Sequence, residues 1–150
     1  MSRTLKKALL VIGVLLLNIE VNLYTKTHFV LEQKPLKVNY SGYGHKLAKK
    51  LEKAGLHPYE ITIIMVEQGG VVQPGFNLGN LRKRNLEYHT YGSFNEGLTK
   101  FRNLIERRYK DCFSDDPQKT YKCIQEHYAP DGGKTWINRN MHWYNLLYGA

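Results

Sequence analysis

A glutamate closes an apolar run in this chain: Ile61-Thr62-Ile63-Ile64-Met65-Val66-Glu67 leads directly into Gln68-Gly69-Gly70. A carboxyl at the buried end of a helix, beside a glycine turn, suits general-acid chemistry. Desolvation disfavours the charged form, so such a group can hold a proton near neutral pH. The competing reading is a helix-terminal Glu turned to solvent, and the residues downstream weigh against it. Phe76-Asn77-Leu78-Gly79-Asn80-Leu81-Arg82 is an Asn/Gly turn flanked by apolar residues, able to fold back beside a helix end. The amides of Asn77 and Asn80 either hold the loop's shape or meet a sugar hydroxyl. The extended segment Tyr88-His89-Thr90-Tyr91-Gly92-Ser93-Phe94 carries aromatic rings that can stack on a pyranose, unless Tyr88 or Tyr91 closes the core instead. Tyr128-Ala129-Pro130-Asp131, followed by Trp136, puts two more aromatics near a turn.

Helices must position these groups. Leu47, Ala48 and Leu51 share one face of a helix over about 43–54, with Gly55 ending it. A second helix starts at Pro58, places Glu60 at the positive end of its dipole, buries Ile61, Ile64 and Met65, and ends at Glu67. The density of glycine over 68–92 predicts loops with one short β-hairpin. Ser93 and Glu96 form an S-x-x-E capping box for a helix running to about Tyr109, with Phe94, Leu98, Phe101, Leu104 and Ile105 in helical period. Asp116-Pro117 opens another helix, residues 129–133 form a turn, and a last helix spans about 136–147. The fold class read from this order is α+β, predominantly helical.

The 150 residues make one domain, 41–150, behind an N-terminal appendage and a connector at 22–40 interrupted by Pro35. Residues 1–21 follow a targeting grammar: Arg3, Lys6 and Lys7 precede a ten-residue apolar run at 8–17, short for a membrane span. No A-x-A site or lipoprotein cysteine follows, so a cleaved signal peptide and an uncleaved membrane anchor both stand, beside an amphipathic helix packed on the domain. The expected location is exported: periplasmic, secreted, or anchored facing the cell wall. A formal charge of +9 selects an anionic partner, whether nucleic acid, membrane surface or wall. Eleven tyrosines suit an extended polar ligand such as a glycan. Cys112 and Cys123 form a single disulfide worth about 2–3 kcal/mol if exported, or remain two thiols in a reducing compartment. The six histidines show no metal-ligand spacing, and no metal or cofactor is expected.

The order of these parts resembles the glucosaminidase-type peptidoglycan hydrolases of bacteria and phage, which use a lysozyme-like scaffold. That family carries a helix ending in Glu, an N-L-F-G-I-K-like segment, an aromatic-x-x-Y-x-S-x-x-E-(S/G) stretch opening a helix, and a late Y-A-x-D turn. Met65-Val66-Glu67-Gln68-Gly69, Asn77-Leu78-Gly79-Asn80-Leu81-Arg82, the stretch from Tyr88 to Gly97, and Tyr128-Ala129-Pro130-Asp131 stand in those places, covering residues 43–148. Gln68 replaces the family's usual Ser or Thr, residues 69–76 lack its usual Trp, and Asn77-x-Gly79-Asn80-Leu81-Arg82 looks more like the N-P-G-N-I/L-R segment of phage-type relatives. The resemblance implies a lysozyme-like fold with a small β-hairpin lobe. It also implies a monomeric enzyme that cleaves glycan strands between N-acetylglucosamine and N-acetylmuramic acid, as a glucosaminidase, a muramidase or a lytic transglycosylase. Glu67 is the implied general acid, and Tyr88, Tyr91 and Tyr128, with Asn77 and Asn80, are the implied glycan contacts. Glu87 is assigned the second catalytic role because it would come from the opposite wall of the cleft, whereas Glu96 is assigned to its capping box and Asp131 to its turn. The substrate's own N-acetyl group could take that role instead. Two alternatives remain: a catalytically degenerate wall-binding or assembly protein on the same fold, and a basic nucleic-acid-binding module using Arg82-Lys83-Arg84 and Arg107-Arg108-Tyr109-Lys110. The signal-like start argues against the latter, and no nucleic acid is expected as partner.

Overall fold

Caps and apolar spacing set five helices: α1 (His45–Lys53), α2 (Pro58–Gln68), α3 (Phe94–Arg108), α4 (Pro117–Tyr128) and α5 (Gly133–Tyr148). Single 3-10 turns at Lys110–Cys112 and Pro130–Gly132 precede α4 and α5. The structure, a computed structural model, describes residues 34–37, 41–82 and 87–149. The targeting segment 1–21, most of the connector 22–40, and Lys83 and Arg84 of the basic run lie outside them. The part of the connector that is described packs on the helices. Leu36 is buried, its N–H donates to the Glu52 carboxylate at 2.9 Å, and the Lys37 N–H donates to the Leu147 carbonyl at 2.9 Å.

The second helix differs from the expected one-sided stripe. Ile61, Thr62, Ile63, Ile64 and Met65 are all essentially inaccessible, so α2 is buried on every side and forms the centre of the core. It contacts α1 and α5, and α4 closes over it through Tyr121, whose ring meets Tyr59 edge-on at 5.5 Å. The Thr62 hydroxyl is 2.6 Å from that of Tyr121, so both polar atoms buried there are paired. Each apolar side chain buried in this way contributes roughly 1.5–3 kcal/mol. The helix stops because Gly69 takes a left-handed conformation at φ 59°, where a side chain is disfavoured.

His57 caps the start of α2. Its imidazole Nδ1 accepts the Tyr59 N–H at 3.3 Å, and the Glu60 carboxylate accepts the His57 N–H at 2.8 Å. Burial lowers the His57 pKa to about 4 from 6.5. A protonated ring could not accept the Tyr59 N–H, and its charge would oppose the positive helix end. The unfolded chain therefore binds the proton first, so this contribution to stability is complete above pH 6.5 and is lost as pH falls toward about 4. Burial shifts Glu60 upward, which acts in the opposite sense. We expect urea-unfolding free energies to fall between pH 7 and 4 more steeply for the native chain than for His57→Asn, which retains a capping side chain without titrating. Identical pH profiles for the two would remove His57 as the cause.

The helix α3 begins as the sequence predicts. The Ser93 hydroxyl accepts the Glu96 N–H at 3.2 Å, while the Glu96 carboxylate takes the Gly92 N–H at 2.9 Å rather than that of Ser93. Asp116 caps α4 by accepting the N–H groups of Gln118 and Lys119. The last helix starts at Gly133, three residues before the expected Trp136, because the 3-10 turn at Pro130–Gly132 leads straight into it. Cys112 and Cys123 are joined in a disulfide that ties the turn after α3 to the middle of α4. Replacing both with Ser should lower stability by about 3 kcal/mol, read as a lower urea midpoint with an equal or slightly steeper slope as the unfolded chain expands. An unchanged midpoint would mean that the packing of α4 suffices without the link.

The expected β-hairpin lobe is absent among the described residues, which contain no strand and only one isolated antiparallel bridge, Arg82 to Tyr88. Left-handed backbone at Gly69, Gly70, Gly75, Phe76 and Asn80 turns the chain too often for a ladder to propagate. The fold is predominantly helical, and no helix among the described residues is long and apolar enough to cross a membrane.

Candidate active site

Glu67 lies one residue from the C-terminal end of α2, half-buried, and both of its carboxylate oxygens are held. The Trp136 indole N–H donates to Oε1 at 2.9 Å, and the Asn80 amide donates to Oε2 at 2.9 Å. The same Asn80 amide also donates to the Glu67 backbone carbonyl at 2.8 Å. Asn80 is thus a positioning residue rather than a free glycan contact. Its backbone sits at φ 48°, a left-handed conformation that Asn adopts more readily than most residues. Each carboxylate oxygen keeps a second lone pair, so a proton can be carried without displacing either donor.

The loop that presents Asn80 is fixed from below by two amides. Asn77 is buried, donating to the Leu81 carbonyl at 2.8 Å and accepting the Leu81 N–H at 2.7 Å, so it shapes the loop and does not line the cleft. Gln68, fully buried, donates to the Asn77 and Leu78 carbonyls and accepts the Gln73 N–H at 2.9 Å. A Ser or Thr at 68 would be too short to reach these three groups. The Gln is the physical tie between the end of α2 and the loop.

Glu67 opens into a cleft of about 680 Å³, within the size range of small-ligand sites. Tyr128 lines it, and its hydroxyl donates to the Gly79 carbonyl at 2.6 Å. Burial, with the nearby Glu67 charge adding to it, pushes that phenol well up, so it remains a donor throughout the working range. Gly79 has no room for a side chain, since an added Cβ would fall 2.6 Å from Phe101 and 2.8 Å from the Tyr128 hydroxyl. Tyr88 also lines the cleft, as expected. Tyr91 does not: its ring stacks on His89 at 5.9 Å and its N–H donates to the Gly75 carbonyl, so it braces the loop. Glu87 is exposed and is not among the cleft-lining residues, so the assigned second carboxylate is not brought to Glu67.

Residues not assigned to the site from sequence join it instead. Trp136, Asp131, His89 and Arg108 all line the cleft with Glu67. Trp136 stands beside the Tyr-Ala-Pro-Asp turn in sequence, and that proximity was the available signal. Its bond to a carboxylate 69 residues away is set by how the helices pack. Among the described residues no cluster of His, Cys, Asp or Glu is arranged to hold a metal ion.

No family model, curated protein or solved structure matches the chain.

Proposed function

We propose that this cleft is the catalytic site of an exported peptidoglycan glycosidase on a lysozyme-like fold, with Glu67 as the general acid. The observation that carries this reading is a carboxylate held at both oxygens by Trp136 and Asn80, inside a cleft walled by Trp136, Tyr128 and Tyr88. Such a wall suits the flat apolar faces of sugar rings, and a carboxyl fixed in one rotamer suits proton delivery to a glycosidic oxygen. Protonation of the leaving sugar by Glu67 lets an oxocarbenium-like centre form. Asp131, the other carboxylate lining the cleft, takes the role first assigned to Glu87 and directs the attacking water. The Cys112–Cys123 disulfide supports the exported location, because such bonds persist in oxidising compartments. The formal charge of +9 favours residence on an anionic wall.

Gel zymography on wall-impregnated gels tests the reading, and mass spectrometry of the released muropeptides identifies the bond cut and whether water or an internal hydroxyl attacked. A folded protein that binds purified wall but clears no band would transfer the proposal to the degenerate, wall-binding alternative.

A further inference from the structure

The charges in the cleft are sorted by position. Glu67 is bonded to Trp136, and Asp131 precedes Gly132, which abuts the Trp136 side chain. Both carboxylates therefore belong to the Trp136 end. From there the floor runs through two ring contacts of 5.8 Å each, Trp136 to Tyr128 and Tyr128 to Tyr109. At the far end stands Arg108, whose charge acts on the Tyr109 hydroxyl and offsets part of the upward push of burial. On the loop wall Arg82 lies over the Tyr88 ring, 5.0 Å from its centre, and donates one N–H to the Tyr88 hydroxyl at 3.0 Å. Arg82 and Arg108 both belong to the lining of this cleft. Both are exposed, and each guanidinium keeps donors to spare.

An aromatic floor with the acid at one end and two exposed guanidinium groups beyond it fits a sugar chain that carries a negative side arm. A neutral glycan such as chitin offers Arg82 and Arg108 only uncharged acceptors, which a guanidinium binds less strongly than a carboxylate. Guanidinium groups bind carboxylates through paired, charge-assisted hydrogen bonds, and Arg82 is already held in place by its stacking on Tyr88. Building on the glycosidase reading, we propose that Arg108 and Arg82 make the enzyme specific for carboxylate-bearing strands, gripping the acid on the muramic lactyl arm or on the peptide stem attached to it.

The test is calorimetric binding by the full chain carrying Glu67→Gln, which prevents turnover, with three probes of equal length. These are a neutral chitin oligomer, a glycan oligomer with free lactyl carboxylates, and an oligomer bearing peptide stems. The charged probes should bind more tightly than chitin and weaken as salt rises, because exposed charges are screened. Adding Arg108→Gln or Arg82→Gln should cost about tenfold or more in affinity for a charged probe and far less for chitin. A loss confined to the stem-bearing probe places the recognised acid on the stem, and a loss with the free lactyl form places it on the sugar. Equal affinity for all three probes, or equal losses with chitin and charged probes, would overturn the proposal while leaving the glycosidase reading intact. If no probe binds, chitin included, the glycosidase reading itself fails and this specificity fails with it.

Discussion

On the proposed reading, Glu67→Gln should abolish wall lysis and leave a folded protein. The expected loss is at least about 10²–10⁴ in kcat, the usual contribution of a positioned general acid, because an amide of the same size has no proton to deliver. The effect on stability should be far smaller. The native carboxylate accepts from the Trp136 indole and from the Asn80 amide. A Gln side chain offers one oxygen and one NH₂ group, so one of those donors meets another donor and a single hydrogen bond is lost. The lost bond is charge-assisted and its donor is left unpaired, so this costs about 1–3 kcal/mol and lowers the thermal midpoint by several degrees. Glu67→Asp provides a second measurement. It keeps the carboxyl but withdraws it by one methylene from both donors, so activity should fall with the charge still present. Zymography and thermal unfolding on the same preparations check both. A Glu67→Gln protein that still clears the wall would exclude Glu67 as the acid, whatever else the cleft does.

Gly97→Ala unsettles the fold from a surface helix, although Ala at most helical positions would stabilise by roughly 1 kcal/mol relative to Gly. Gly97 lies in the first turn of α3, where the backbone of Phe76 passes directly over it. An added Cβ would meet the Phe76 carbonyl oxygen at 1.9 Å, far inside contact distance, and its obstacle is backbone rather than a flexible side-chain tip. Phe76 is itself held at φ 50°, so the loop has little freedom to step aside. The helical gain is outweighed, and the net loss should be at least about 2–3 kcal/mol, at the upper end of overpacking costs. Because Phe76 begins the loop that delivers Asn80 to Glu67, activity should fall as well, and it should fall even at temperatures where the protein remains folded. Urea unfolding and lysis rates, measured on Gly97→Ala beside Gly92→Ala, separate the two effects. An added Cβ at Gly92 would come no closer than 3.5 Å to its nearest neighbour, the tip of the Glu96 side chain, so that variant should be close to neutral. A Gly97→Ala protein as stable as the native chain would show that the loop can move.

Much of the helical scaffold was legible because helix signals are local. A cap acts on the next two or three N–H groups, and an apolar face repeats every three or four residues. Ser93, Asp116 and Pro58 therefore mark three helix starts, and the helix that carries Glu67 runs one residue past the expected end, to Gln68, before Gly69 stops it. The burial of α2 on every side was less legible, since an apolar run reads alike whether one face or all of its faces are covered. Glycine density over 68–92 signals turns without saying whether the segments between them pair, and among the described residues they form only one isolated bridge.

The sequence by itself determined where the helices lie, that Glu67 stands at the end of an apolar helix beside a glycine turn, and that Asn and aromatic residues follow in an order suited to a glycan site. Tertiary structure decided which of those residues meet. It placed Trp136 and Asn80 on the two oxygens of Glu67, spent Asn77, Gln68 and Tyr91 on the loop, and brought Asp131 to the cleft in place of Glu87. The physical reason is one of range. Caps and periodicity act within about one helical turn, whereas the partners of the Glu67 carboxyl are chosen by how whole helices pack across the core.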